Sequence, residues 1–306
     1  MIEWKCTMIK VCRIGHATFE TPDLDKAIEH YTQAVGLILS SRTSGDAYFT
    51  SRLGILSLEL QKGPQQRCKR LSFELAAGSD LAAIERWLKG EGIESTRRTD
   101  ATPGHPEMLT FQDPKGTSID LFTQWSFLDK GTDLIAGPLK FGHLAFVVPD
   151  PAAMANFYQR IMGFRISDWI EDFFVFLRCN SDHHVVNFIR GQTVRMHHMA
   201  FELKDFAQIQ NASELLSRIR IPIVWGPVRL GPGHNVAIFH RAADDQVLEL
   251  YAELDQMKSE ELGYWDPRPW HRDRPLRPKV WKREDRSIWG PPPLPAFEHG
   301  NFGNLD

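Results

Sequence analysis

At 306 residues the chain is long enough for two ordinary domains, each with its own core. With 42% hydrophobic and 25% charged residues the composition is globular, and a formal net charge of −3 gives no electrostatic case for a nucleic-acid partner. No apolar run approaches the roughly 18 residues that span a bilayer, so no membrane partner is expected. The opening MIEWKCTMIKV lacks the continuous apolar core of a secretory signal, and the four cysteines (Cys6, Cys12, Cys68, Cys179) form no CxxC pair. A cytoplasmic protein in a reducing compartment is the expectation.

Taken in chain order, the elements occur twice. The stretch IGHATFETPDLDKAIEHYTQAVGLIL, from Ile14, aligns without a gap on FGHLAFVVPDPAAMANFYQRIMGFRI, from Phe141. Gly15 and His16 fall on Gly142 and His143, Pro22 and Asp23 on Pro149 and Asp150, Tyr31 on Tyr158, and Gly36 on Gly163, each pair 127 positions apart. Downstream, Arg70–Leu75 (RLSFEL) falls on His198–Leu203 (HMAFEL), and Ser118–Phe122 (SIDLF) on Val247–Tyr251 (VLELY). Drift of one or two positions between blocks is what changes in loop length produce. The chain therefore reads as an internal duplication.

Within the second copy, Leu144–Val148 reads as a strand, and Pro149-Asp150-Pro151 sets a turn and a helix start. Met154, Phe157, Tyr158, Ile161 and Met162 recur at helical spacing over Ala152–Met162, and Gly163 supplies the stop. Strands are expected at Phe173–Leu177, Val185–Ile189 and His198–Leu203, then a helix over about 206–219. A hairpin, Val236–His240 with Val247–Ala252, closes the copy. The expected fold class is α+β: tandem βαβββ modules in two paired-module domains, each a curled half-barrel sheet with outer helices. The domains are placed at 1–127 and 140–257, joined by a connector at 128–139. Residues 258–306 hold eight of the nineteen prolines and four of the nine tryptophans. So much proline breaks helix and so much tryptophan seeks cover, so this segment is expected to form an extended strap.

Two imidazoles and a carboxylate with open positions form the facial triad favoured by non-haem Fe(II). His143 lies early in one strand, His198 opens another, and Glu249 sits in the closing strand. Alternation puts His143 with Ala145 and Val147 on one face, and Glu249 with Tyr251. Such spacing permits convergence on one ion if the sheet curls. The equivalents in the first copy are His16, Arg70 and Asp120, and a guanidinium cannot ligate a cation. The first copy is therefore expected to be metal-free.

The blocks GHLAF, GFRISDWIEDFFVFLRCNSDHH, MHHMAFEL and LELYAE resemble those of the type I extradiol (catechol meta-cleaving) dioxygenases of the vicinal-oxygen-chelate superfamily. The resemblance covers roughly residues 11–257 and is strongest over 140–257. It implies that His143, His198 and Glu249 bind Fe(II), with Mn(II) as the alternative, and that His184 is the active-site histidine. It also implies an aromatic diol and O₂ as substrates, and commonly a homo-oligomer. Ala145, Phe176 and Leu230 are expected as pocket walls. Leu230 stands where the family usually has histidine, Phe239 where it has tyrosine, and neither can donate or accept a hydrogen bond. His234, in the Gly231-Pro232-Gly233-His234-Asn235 loop, is the substitute candidate, and Tyr251 shares the face of Glu249. Two further readings stay open: a non-redox metal-dependent isomerase or lyase, for which no fourth protein ligand is found, and a binding or resistance protein that keeps the pocket without the chemistry.

Overall fold

Duplication should repeat the same order of elements. In the computed structural model, which describes residues 8–128 and 137–292, it does. The first copy runs β1 (Val11–Thr21), α1 (Leu24–Gln33), β2 (Ile38–Arg42), β3 (Asp46–Thr50), β4 (Leu56–Lys62), β5 (Arg67–Leu75), α2 (Leu81–Gly90), β6 (Ser95–Thr102), β7 (His105–Gln112) and β8 (Ser118–Phe122). The second runs β9 (Lys140–Val148), α3 (Pro151–Met162), β10 (Arg165–Ile170), β11 (Phe174–Arg178), β12 (Val186–Arg190), β13 (Arg195–Glu202), α4 (Phe206–Arg218), β14 (Ile223–Leu230), β15 (Val236–Arg241) and β16 (Val247–Ala252). Each copy is thus two βαβββ modules. The described residues form two compact units: 8–128 and 137–141 with 156–163 and 242–244 in one, and the other described residues in the second.

The sheet orders are β2-β3-β4-β1-β5-β8-β7-β6 and β10-β11-β12-β9-β13-β16-β15-β14. In each, the opening strands of the two modules lie side by side at the centre and the curled sheet forms a half-barrel. A strand covered on both faces must be apolar throughout, and β9 (KFGHLAFVV) is buried at every position after Lys140. Alternation sends His143 and Ala145 to one face and Leu144 and Phe146 to the other. Helix starts follow the expected chemistry. Asp150 accepts from the Ala153 N–H at the head of α3 (2.9 Å), and Asp205 caps α4 by accepting from Gln208 N–H (3.1 Å). Gly163 ends α3 at φ 72°, a left-handed backbone that L side chains resist.

Within the second copy, β10 and β14 lie outside the sequence expectation. The second contains Pro227, which offers no N–H, and its ladder with β15 shifts register between Trp225 and Val228. After Met257 the chain adds short edge strands to the second sheet. β17 (Val280–Trp281) pairs with β10, and β18 (Ser287–Trp289) with β14. Residues 1–7, most of the expected connector (129–136) and the end of the expected strap (293–306) lie outside the described residues. Among the described residues, no helix is long and apolar enough to cross a membrane.

Candidate metal centre and cavity

The central strands of the second sheet bring His143 (β9), His198 (β13) and Glu249 (β16) together. His143 Nε2 lies 3.0 Å from Glu249 Oε2 and 3.3 Å from His198 Nε2, and the third edge is 3.2 Å. All three are buried. His198 Nδ1 stands 2.7 Å from His197 Nδ1, so a proton on the former is donated to the latter and leaves His198 Nε2 as a lone pair facing the cluster. Asn235 donates to Glu249 Oε1 at 2.7 Å, which turns Oε2 toward the imidazoles. Burial would raise the Glu249 carboxyl, but the imidazoles of His143 and His198 outweigh it and hold it at about 2. Burial keeps His198 in its neutral form. A carboxylate oxygen and an imidazole lone pair this close repel unless positive charge lies between them. Ligand atoms bound at about 2.1 Å and at right angles stand about 3.0 Å apart, so this donor set fits one divalent cation.

Gly142 makes room behind the site. A Cβ there would sit 2.1 Å from the Tyr251 hydroxyl, and the tyrosine ring lies 5.2 Å from that of His143. Tyr251 therefore backs the cluster.

The triad faces a cavity of about 300 Å³ lined by Ile170, Phe173, Phe174, Phe176, Ile189, Trp225, Leu230 and Phe239, with His184 and Asn187. Such a volume and such walls suit a small aromatic molecule. His184 is placed beside His143, ring centroids 4.3 Å apart. Its Nδ1 meets His183 Nδ1 at 3.0 Å, and His183 Nε2 meets Asp168 Oδ2 at 3.0 Å. Asp168 also accepts from Trp281 Nε1–H (2.6 Å) and the Lys279 N–H (2.7 Å). With the His183 proton on Nε2, facing Asp168, His183 Nδ1 accepts from His184. The Nε2 of His184 is then left free for a ligand. Burial first, then the imidazoles of His143, His183 and His198, hold His184 neutral far below the ordinary histidine range.

Phe176, Leu230 and Phe239 line the cavity, Phe239 stacked on Trp225 (5.0 Å) and edge-on to His198 (5.8 Å). Three other candidates do not. Ala145 lies in register with Asn187, whose longer side chain forms the wall at that level. Tyr251 is behind His143. His234 is drawn away by Asp255, whose Oδ2 lies 2.7 Å from its Nδ1, while His271 Nε2 meets the other carboxylate oxygen at 2.8 Å. His234, Asp255 and His271 form the second cluster of metal-ligand type among the described residues. There each imidazole donates to its own oxygen, and burial of Asp255 is outweighed by these two donors, which keep its carboxyl low. That arrangement is satisfied without an ion.

The corresponding place in the first copy is built differently. Arg70 reaches Asp120 at 3.5 Å, Arg98 reaches it at 3.1 Å, and His16 Nε2 pairs with Ser72 Oγ at 3.0 Å. Cations of the protein itself occupy the carboxylate there.

Sequence reasoning missed Asn187, His183 and Asp168. His183 is visible only as half of a histidine pair, Asp168 lies unremarked inside the block that begins at Gly163, and Asn187 carries no motif.

Fold and site together define the class: the chain belongs to the Glyoxalase/Bleomycin resistance protein/Dioxygenase superfamily, whose model matches residues 13–121 and 140–250. Among its relatives is a biphenyl-2,3-diol 1,2-dioxygenase of Pseudomonas sp. (strain KKS102), 24% identical over 296 residues, which span 88% of this chain and 96% of that one. Among solved structures, an extradiol ring-cleaving dioxygenase from B. fuscum superposes with TM-score 0.82 at 21% identity, covering 96% of this chain and 83% of that one. A Mn(II)-bound glyoxalase from Novosphingobium aromaticivorans gives TM-score 0.81 at 23% identity, covering 94% of each.

Proposed function

We propose that this protein is an extradiol ring-cleaving dioxygenase that holds a divalent metal, Fe(II) in the first instance and Mn(II) in the second, through His143, His198 and Glu249, and opens an aromatic diol with O₂. The observation that carries the reading is the triad's mutual spacing of 3.0–3.3 Å at the head of a largely aromatic cavity. The biphenyl-2,3-diol 1,2-dioxygenase relative supports the reaction class.

When bound, the metal supplies Lewis acidity and a common anchor for diol and O₂. The protein supplies the rest. Phe174, Phe176, Trp225 and Phe239 supply aromatic wall for a flat ring and exclude water. His184, held by His183 through Nδ1, takes a diol proton on Nε2 and returns it later. A neutral imidazole is the form suited to accept it. The chain from Asp168 through His183 fixes the tautomer that makes this the reacting nitrogen.

Leu230 and Phe239 favour a second reading, a binding or resistance protein that keeps the pocket without the chemistry, because both are apolar where substrate oxygens need partners. One experiment separates the two. Protein loaded anaerobically with Fe(II) is mixed with a panel of catechols, and O₂ is then admitted while oxygen uptake and ring-opened product absorbance are followed. Uptake equal to product formed is the expected result. Stoichiometric iron with no uptake across the panel would reject ring cleavage in favour of the second reading.

A further inference from the structure

The strap does more than lengthen an edge. β17 and β18 stand at opposite ends of the ten-stranded order, and residues 282–286 join them. Ten strands laid flat would part those ends by about 43 Å. A connection of this length reaches about 21 Å at most. The sheet therefore curls until its two edges approach, and the strap crosses the gap between them. β9, β13 and β16, which carry His143, His198 and Glu249, are fifth to seventh of the ten. The metal centre and the strap thus face each other across the cavity that both line.

What the strap presents to that cavity is two guanidinium groups, those of Arg283 and Arg286. Arg283 stands 4.1 Å over the Phe173 ring and 3.5 Å from Glu171. The Arg286 carbonyl accepts from the Gly231 N–H at 2.8 Å, and a Cβ on Gly231 would sit 1.9 Å from the Asp285 carbonyl oxygen. The strap backbone is therefore seated directly on that turn. A third guanidinium, Arg190, lines the cavity together with Asp172, its partner at 2.9 Å. Outside the triad the charged lining is thus three cations and one anion; Glu171, Lys282, Glu284 and Asp285 lie on the same segments but do not line it. The other walls are mostly aromatic and aliphatic. Apolar walls focus the field of the guanidinium groups, and a carboxylate matches them in geometry as well as charge.

We infer that Arg283 and Arg286 determine specificity by binding a carboxylate that the substrate carries on the side of the ring away from the diol. The substrate class is then a catechol with an acidic side chain. The inference rests on the ring-cleavage reading for which end of the ligand meets the metal.

Full-length protein loaded with Zn(II), which binds without oxygen chemistry, is titrated anaerobically in a calorimeter with 3-(3,4-dihydroxyphenyl)propanoate and with its primary amide. The two share a shape, and the aliphatic spacer keeps the acidity of the diol alike, so they differ by charge at the far end. Wild type is expected to bind the carboxylate about tenfold more tightly, the worth of one charge-assisted hydrogen bond. Added salt should shrink the difference. Arg283→Gln and Arg286→Gln should each weaken the preference and together remove it, with amide affinity kept. Lys282→Gln, on the same segment but off the cavity, should leave it whole. Equal affinities in wild type, a preference that survives the double substitution, or one lost equally in Lys282→Gln overturns the inference. Zn(II)-dependent binding of neither probe to wild type overturns the diol reading, and this inference with it.

Discussion

Replacing Trp281 by phenylalanine tests how the strap supports the site. Trp281 is buried at 8% exposure and packs with Ile170 and Phe176, and its Nε1–H donates to Asp168 at 2.6 Å. Phenylalanine keeps most of the ring but removes the donor. A hydrogen bond to a carboxylate contributes about 1.5–3 kcal/mol. The Lys279 N–H still holds the other oxygen of Asp168, so the lower half of that range is expected, about 2 kcal/mol. For a unit of this size that lowers the melting temperature by about 4–8 °C. Differential scanning calorimetry at pH 7 reads the change directly. Trp289→Phe is the control, since Trp289 is 44% exposed and its replacement should shift stability by no more than about 0.5 kcal/mol. Equal, negligible shifts in both variants would refute the assignment of Trp281 as the anchor of Asp168.

Three other outcomes are expected. His184→Phe should lower kcat by about 10²–10⁴-fold with metal content unchanged, read by steady-state kinetics beside elemental analysis; loss of metal instead would make His184 a structural support. His198→Ala should abolish metal binding in equilibrium dialysis while Arg70→Ala leaves it intact, and equal loss in both would mean that the site is assigned to the wrong copy. Burial lowers His30 to about 4 from 6.5, so the unfolded chain binds its proton first and stability falls as pH drops from 6.5 toward 4. At 1.36 kcal/mol per unit that share is about 3 kcal/mol, and His30→Gln should remove it from the pH dependence of urea unfolding; an unchanged slope would contradict the shift.

Much of the fold was legible because duplication shows each element twice. The blocks around His16 and His143 locate the central strands, and Pro149-Asp150-Pro151 with Gly163 brackets α3. Strand alternation grouped His143 with Ala145 and Glu249 with Tyr251, but which of those faces turns toward the cavity depends on how the sheet curls. β14 was hidden by Gly226 and Pro227, which break the strand pattern, and the strands of Val280–Trp281 and Ser287–Trp289 are too short to carry a period. His234 illustrates the limit at the site. Its loop position suggested a substrate contact, but Asp255, distant in sequence, decides where the ring points. Asn187 lies in an apolar strand and reads as a poor strand residue until its place on the cavity wall is seen.

The most direct measurement of the central claim is an anomalous-scattering map from crystals grown with Fe(II) or Mn(II), collected at the metal's absorption edge. One peak bounded by His143 Nε2, His198 Nε2 and Glu249 Oε2 is the predicted result. A peak held instead by His234, Asp255 and His271, or none at the first position, would contradict it.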